Sequence, residues 1–404
     1  MPISSGGHTR IANLVGQLAK RHQIHWVSLT DAQDGENLPP MHGLAVSPVL
    51  VPTRANRRWG DKLSEAVRPS RLSRTASRAI GLLGGLPIDA VRMRDPRLSR
   101  AVRDLLRTHA IDVVQIEYGA MAVYLPLIRQ LSPSSKIVID ELEVASVAIS
   151  RRLDFQQRPP SWFSRWDAGR WARFERRVWS ASDAVLAMSE SECGVIHRAA
   201  GQGKGRVVPN GVDIEYFRPL RHAYPAAEPP RLLFVGNLGH RPNTEGLATF
   251  LKTAWPMLAA RHPELELHVV GPAAGEGARF EDAPRVTFHG YVEDVRPHLA
   301  TAAAAIVPIV TGGGTRLKVL EALASGTPIV STKLGVEGLA IRDGREALLP
   351  DSVAEFPDVI GALLEQPEQC AALSVAGRRL VEERYSWASI SDTLERIWLG
   401  LKDH

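Results

Sequence analysis

The chain has 404 residues, enough for two α/β domains, because single hydrophobic cores seldom grow beyond ~250–300 residues. Apolar residues make up 44% and charged residues 23%, as in ordinary globular proteins. Cys193 and Cys370 form neither a disulfide framework nor a metal-ligand pattern, which favours a reducing cytosol. No apolar run approaches the ~18–20 residues of a membrane span. A cytoplasmic protein is therefore expected, with a peripheral position at the inner membrane face left open.

The net charge of +5 is unevenly distributed along the chain. Residues 1–218 carry 31 Lys and Arg against 21 Asp and Glu, whereas residues 219–404 carry 18 against 23. A basic first half and an acidic second half indicate that the first half meets an anionic surface or substrate.

Short apolar runs alternate with helical patterns in both halves, which is typical of doubly wound parallel sheets. Helices are predicted over residues 9–22 and 97–109. The predicted strands are 24–29, 111–116, 136–140 and 184–188 in the first half, and 231–235, 265–270, 286–288, 304–308 and 328–331 in the second. Four prolines within residues 219–230 indicate a linker. The predicted domains cover residues 1–215 and 216–384, with a further helix over 385–404.

Two segments of the first half combine basic and apolar residues. Residues 54–78 and residues 151–179 each contain eight basic residues, and the second segment interleaves them with Trp and Phe. Solvated or packed helix faces explain both, and contact with an anionic membrane surface is the alternative. No nucleic-acid-binding motif accompanies them, so no nucleic-acid partner is expected.

A glycine-rich turn is the most informative local feature. Gly312, Gly313 and Gly314 follow an apolar run, and a helix is predicted from near Thr315. Glycines let the backbone approach a ligand closely, and the first N–H groups of a helix attract anions. Arg316 and Lys318 add two cations at the positive end of the helix dipole, which is unfavourable unless an anion offsets them.

This pattern predicts a diphosphate site with a carboxylate, Glu321, beside it. A purely structural strand-turn-helix corner remains the alternative. Neither G-x-x-x-x-G-K-[ST] nor G-x-G-x-x-G is present in this stretch.

Several motifs occur in a fixed order along the chain. The run RVVPNGVDIEYFRP over 206–219 resembles the pattern V-x-P-N-G-V-D-x-x-x-F-x-P of family 4 (group 1) retaining glycosyltransferases. Residues 184–191 resemble the strand before it, and LFVGNLGHRPN over 233–243 resembles the opening of their nucleotide-binding domain. FHGYVEDV over 288–295 and the glycine-rich turn follow, and Ser5–Gly7 with Arg10 fits the family's first loop.

The resemblance implies a GT-B fold, α/β with two Rossmann-like doubly wound domains facing a central cleft. It implies transfer of a sugar from a nucleoside diphosphate sugar with retention, without a metal ion or another cofactor. The partners would be the nucleotide-sugar donor and a glycan or lipid-linked acceptor, in cell-surface polysaccharide or glycolipid biosynthesis. In relatives the C-terminal helix packs back on the first domain.

The resemblance also assigns roles to residues. Arg316 and Lys318 would stabilise the leaving diphosphate, Glu321 would bind the ribose, and the backbone near Tyr291 and Val292 would meet the base. Gly6 and Gly7 would let the first loop close over the phosphates. The donor site is accordingly assigned to Gly6, Gly7, Gly236, Asn237, Arg241, Tyr291, Val292, Gly312, Gly313, Gly314, Thr315, Leu317 and Glu321.

Three departures from the family pattern affect these assignments. Gly313 stands where the E-x7-E pattern has its first glutamate, which leaves the sugar open. Asn237 follows a strand where relatives often have Arg, and Arg241 is the next basic residue. Gln115 and Glu117 stand where many relatives have a histidine. Glu117 joins Arg316 and Lys318 as a candidate catalytic residue that orients the acceptor, with a structural carboxylate as the alternative.

Relatives begin with an apolar strand that leads into the Gly-Gly loop, and this sequence opens at Met1 without room for it. We therefore expect the functional protein to begin upstream of Met1. The alternative function is a non-catalytic sugar-nucleotide-binding scaffold. The absence of this first strand and the glycine at position 313 motivate it.

Two weaker signals concern titratable residues. The scattered histidines show no metal spacing and are interpreted as surface or packing residues; they include His8, His25, His240, His289 and His298. Three acidic residues, Asp140, Glu141 and Glu143, follow a strand. They either face the cleft or stabilise the N-terminus of a following helix through its dipole.

Overall fold

A computed structural model describes residues 6–30, 46–52, 84–155, 162–220, 229–272, 283–312 and 316–402. Contacts divide the chain into two compact units, Ile3–Pro209 with Ser391–His404, and Asn210–Ile390. The sequence analysis placed these divisions near 215 and 384. The basic segment 54–78 lies outside the described residues.

The described part of the first unit holds two parallel sheets. Strands β1 (Ile24–Thr30) and β2 (Val46–Pro52) pair with each other. A separate sheet has the order β3, β4, β5, β6, and its strands are Val113–Glu117, Lys136–Asp140, Ala184–Ala187 and Gly205–Val207. Side chains in the middle of β4 and β5 are fully buried, as expected for parallel strands covered on both faces.

Helices connect these strands and begin at recognisable signals. They are α1 Gly6–Leu18, α2 Ile88–Arg92, α3 Pro96–Thr108, α4 Leu125–Leu131, α5 Ala145–Phe155, α6 Trp162–Ala181 and α7 Glu190–Ala200. Asp95 caps α3 by accepting a hydrogen bond from the N–H of Arg97, with Pro96 in the first turn. Ser189 caps α7 in the same way, through the N–H of Glu192.

Residues 162–179 of the Trp- and Arg-rich segment lie in α6, residues 151–155 end α5, and residues 156–161 lie outside the described part. Trp171, Phe174 and Trp179 are buried in the core of the first unit, so packing explains this part of the pattern. Trp162, at the start of α6, is 71% exposed, and the guanidinium of Arg170 lies 3.7 Å from the Trp166 ring centroid. Membrane contact by this helix stays a prediction. Among helices in the described ranges, none is long and apolar enough to cross a bilayer.

The second unit contains one five-stranded parallel sheet in its described residues. Its strands are β7 Arg231–Val235, β8 Glu266–Val270, β9 Val286–Gly290, β10 Ala304–Val307 and β11 Ile329–Ser331. Its helices are α8 Arg241–Thr253, α9 Trp255–Arg261, α10 Arg296–Thr301, α11 Leu317–Ala324, α12 Phe356–Leu364, α13 Pro367–Arg384 and α14 Trp387–Lys402, whose residues from 391 on belong to the first unit. The order β11, β10, β7, β8, β9 reverses between β10 and β7, where ligands bind in open α/β sheets.

A buried ion pair ties together three parts of the first unit. Arg10 of α1 is fully buried, and its Nε donates to Asp140 Oδ2 at the end of β4 over 2.9 Å. Its other nitrogens donate to the carbonyl oxygens of Val208 and Pro209, which follow β6, over 2.9 and 2.7 Å. The guanidinium therefore satisfies a buried carboxylate and two buried carbonyls at once.

Replacing Arg10 by Met should lower the free energy of unfolding by about 3–5 kcal/mol, because Asp140 would remain buried without its counterion. Arg21→Ala is the matched control. Arg21 pairs with Asp392 and Glu395 at the surface, so its loss should cost under ~1 kcal/mol. Urea unfolding of the three proteins measures both effects, and equal losses would contradict the assignment.

Candidate functional site

The carboxyl ends of β7 and β8 approach each other closely in the second unit. The N–H of Gly236, just after β7, donates to the carbonyl oxygen of Val270 over 2.8 Å. Gly271 follows β8 with φ +140°, and a Cβ atom there would lie 2.1 Å from the Gly236 carbonyl oxygen. Only glycine fits at position 271.

Lys318, in the first turn of α11, lies against the end of β7. Its Nζ donates to Asn243 Oδ1 over 2.7 Å and lies 4.6 Å from the Phe234 ring centroid. Asn243 in turn donates from Nδ2 to the carbonyl oxygen of Asn237 over 2.9 Å. A Cβ atom at Gly236 would lie 3.1 Å from Lys318 Nζ, so the glycine leaves space for the ammonium.

The pKa values of Lys318 and Glu321 are both displaced towards neutrality. Burial, together with the Arg316 cation, lowers the pKa of Lys318 to about 7 against the opposing effect of Glu321. Burial raises the pKa of Glu321 to about 7, although Lys318 opposes this shift. Buried titratable groups with such pKa values concentrate at functional sites.

A second cation, Arg316, lies at the start of the same helix. Arg316 is the residue before α11, and Leu317 is the first residue of the helix. Gly312 has φ +92°, and a Cβ atom there would lie 2.9 Å from Pro242 Cγ and 3.3 Å from a terminal nitrogen of Arg316. Gly313, Gly314 and Thr315 lie outside the described residues.

Arg241 and Asn237 contact neighbouring residues of the same unit. The side chain of Arg241 is 47% exposed, and its Nε donates to Glu245, which also accepts a 2.6 Å hydrogen bond from Thr311 Oγ1. Asn237 Oδ1 accepts from the N–H of Gly239 over 2.7 Å. Their roles as donor contacts stay predictions.

Tyr291 and Val292 follow β9. Tyr291 is 61% exposed, next to Gly290 with φ +66°, and Val292 packs partly against the core. An exposed aromatic ring at the end of a strand is compatible with stacking on a base. The assignment of these residues to the base stays a prediction.

The predicted site residues of the first unit have other surroundings. Gly6 and Gly7 form the first turn of α1 rather than a loop, and a Cβ atom at Gly7 would lie 2.2 Å from the Tyr118 hydroxyl. Glu117 Oε1 accepts from Gln115 Nε2 over 2.6 Å. Burial and then the neighbouring Asp140 carboxylate raise the pKa of Glu117, which favours its protonated form.

The acidic group after β4 is largely structural. Asp140 binds Arg10, and Glu141, 2% exposed, accepts from Trp179 Nε1 over 2.7 Å. Burial and then Glu175 raise the pKa of Glu141 to about 8. The packing of these two side chains inside the first unit favours the structural interpretation.

Sequence reasoning missed Asn243, which positions the Lys318 ammonium. The residue lies within the 233–243 motif, so a signal was present. Its pairing with Lys318 joins residues 75 positions apart, and local sequence does not show such a contact.

Two family profiles match the chain. The profile described as Glycosyltransferase Family 4 matches residues 4–216, and the profile described as Glycosyl transferases group 1 matches residues 229–366. D-inositol 3-phosphate glycosyltransferase of Geodermatophilus obscurus is 30% identical over 246 residues, which cover 54% of this chain and 53% of the relative. The match therefore spans about half the length of that relative.

Two solved structures resemble the whole chain. Sucrose-phosphate synthase from Thermosynechococcus elongatus has a TM-score of 0.67 at 18% identity, covering 94% of this chain and 99% of its own. Anabaena Alr3699/HepE in complex with UDP has a TM-score of 0.65 at 14% identity, covering 99% and 97%. The likeness confirms the predicted fold class, an α/β fold of the GT-B type.

The family 4 profile covers more than half of the chain, and the group 1 profile accounts for most of the second unit. The motif order in the sequence and the parallel sheets of both units agree with these matches. The chain belongs to glycosyltransferase family 4, group 1.

Proposed function

We propose that this protein transfers a sugar from a nucleoside diphosphate sugar to a glycan or lipid-linked acceptor with retention, in cell-surface polysaccharide or glycolipid biosynthesis. The observation that carries the proposal is the half-buried ammonium of Lys318, which lies beside Asn243 at the switch point of the second sheet. A buried cation is unfavourable without a counterion, and a diphosphate supplies one.

The diphosphate would bind at the start of α11. Lys318 and Arg316 supply two positive charges there, and the eight-residue helix adds the positive end of its dipole, which no side chain of the described residues caps. Charges fixed in advance stabilise the leaving group without reorganisation during the reaction. We propose that they do so without a metal ion.

Glu321 would bind the ribose. It lies one helical turn after Lys318, so both side chains lie on one face of α11. An ionised carboxylate accepts hydrogen bonds from two neighbouring hydroxyls, which suits a ribose. The Lys318 ammonium favours this ionised form.

Retention follows if the acceptor attacks the anomeric carbon from the face the diphosphate leaves. The bond from the anomeric carbon to the diphosphate oxygen breaks as the bond to the acceptor oxygen forms. The acceptor's proton passes to a phosphate oxygen, so no side chain has to act as the base. Lys318 and Arg316 stabilise the charge that develops on the diphosphate.

Relatives support the choice of donor. The Anabaena HepE protein was solved with UDP and also with UDP-glucose, at TM-scores of 0.65 and 0.62. The Geodermatophilus relative is named as a glycosyltransferase that acts on D-inositol 3-phosphate. These names support a nucleoside diphosphate sugar as donor and a hydroxylated acceptor.

The activity is tested by incubating the protein with a panel of UDP and GDP sugars and an extract of membrane glycolipids and glycans. We expect release of the nucleoside diphosphate that depends on the acceptor, and proton NMR of the product should show the anomeric configuration of the donor. Nucleotide binding without release under any pairing would instead indicate the non-catalytic scaffold.

Lys318→Met and Arg316→Ala should each weaken nucleoside diphosphate binding by about 10–100-fold, since each removes a charge-assisted hydrogen bond. Calorimetric titration at pH 7 measures the affinity. Lys333→Ala is the matched control, because Lys333 lies at the surface of the same unit and pairs with Asp351. Unchanged affinity in both site variants would discard the diphosphate site.

Nucleotide binding at pH 8 should take up protons. The free protein holds Lys318 mostly neutral there because its pKa is about 7, and a bound diphosphate favours the charged form. Titration in buffers of different ionisation enthalpy measures an uptake of up to about one proton per nucleotide, and affinity should fall as the pH rises above 7.

The matched variant for this experiment is Lys318→Arg, whose guanidinium stays charged at pH 8. It should bind with less proton uptake than the wild type and with a weaker dependence on pH. Equal uptake in both proteins would show that Lys318 is not the group that gains the proton.

A further inference from the structure

Three histidines of the second unit converge at one place. His268 lies on β8, His289 on β9 and His298 on α10. Their ligand nitrogens all lie within 4.8 Å of one another. The ring centroids of His268 and His289 are 4.8 Å apart, and those of His289 and His298 are 4.6 Å apart.

The shortest contact in this triad already has the spacing of a coordination site. His268 Nδ1 and His289 Nε2 are 3.0 Å apart. Zinc binds imidazole nitrogens at ~2.0–2.1 Å in a tetrahedron, which places two ligand nitrogens about 3.3 Å apart. Side-chain rotation that moves His298 by roughly an ångström or two would complete three ligands.

A carboxylate fixes the tautomer of one imidazole. His268 Nε2 lies 3.1 Å from Glu266 Oε2, and an ionised carboxylate only accepts, so Nε2 carries the proton. Nδ1 of the neutral ring then presents a lone pair towards His289. Arg231 Nε also donates to Glu266 Oε2, over 3.2 Å, and holds the carboxylate in place.

We propose that His268, His289 and His298 bind a divalent transition-metal ion such as Zn²⁺. Three imidazoles are a common first set of zinc ligands and leave the fourth position to water. Glu266 hydrogen-bonds to His268 and orients it. Carboxylates that do not bind the metal themselves play this role in many zinc proteins. The proton on His289 Nε2 moves to its Nδ1 when the metal binds.

The ion cross-links β8, β9 and α10. Because β9 ends at Gly290 and α10 begins at Arg296, two of the ligands flank residues 291–295, the Tyr291 loop. It therefore stabilises the second unit and fixes the position of that loop. This inference is independent of the proposed function, because none of its ligands belongs to the diphosphate site. The sequence analysis interpreted His289 and His298 as surface or packing residues because they show no metal spacing, and it did not single out His268.

Titration of the chelator-treated protein with Zn²⁺, after removal of any histidine tag, tests the site. We expect one ion per chain and a higher melting temperature in its presence. Glu266→Gln should weaken binding by about 10–100-fold, and His268→Ala, His289→Ala and His298→Ala should each weaken it further. Co²⁺ in place of Zn²⁺ should give the visible spectrum of a tetrahedral nitrogen site in the wild type and lose it in the three histidine variants.

The matched control is His262→Ala, a histidine of the same unit that follows α9. It should bind Zn²⁺ as the wild type does and show the same rise in melting temperature. Circular dichroism confirms that each variant is folded. Zn²⁺ binding of wild-type strength in the three triad variants, or an equal loss in His262→Ala, would overturn the proposal.

Discussion

The burial of the Lys318 ammonium constrains most of the second unit's candidate site. Water cannot solvate this charge fully, so the protein surrounds it with an amide oxygen of Asn243 and the face of Phe234. Gly236 is required because a side chain there would meet both the ammonium and Asn243. Glu321 compensates part of the charge without contacting it by a described hydrogen bond. The described side chains therefore compensate the charge of Lys318 only in part.

The two units use buried charge differently. In the first unit Arg10 meets a full set of partners, a carboxylate and two carbonyls, so its charge serves folding. In the second unit desolvation, together with the Arg316 cation, lowers the pKa of Lys318 to about 7, and Glu321 offsets this shift only in part. A satisfied buried cation indicates a structural role, whereas an under-compensated one at a sheet switch point indicates a ligand.

Local sequence predicted elements well where apolar runs are bounded by turns. Strands β4 and β7 begin and end where the pattern placed them. The sequence pattern missed two strands. One is β2, which contains Pro48 and Pro52, and the other is β6, which has only three residues. The predicted cations and Glu321 lie within six residues at the start of α11, so a local pattern was enough to group them. Asn243 and the histidine triad depended on contacts between distant segments, which periodicity and spacing do not encode.

Backbone hydrogen bonds across the ends of three strands link the histidine triad to the proposed diphosphate site. Gly236 bonds to the end of β8, and the N–H of Gly271 donates to the carbonyl oxygen of Gly290 at the end of β9 over 2.8 Å. His289 directly precedes Gly290. An ion bound by the triad would therefore restrain the end of β9, where Gly290 accepts this hydrogen bond. Rigid support of this kind keeps ligand-binding groups in place before the ligand arrives. The two sites use different side chains. A metal ion bound by the triad would nevertheless stiffen the strand ends that hold Gly236 beside the Lys318 ammonium.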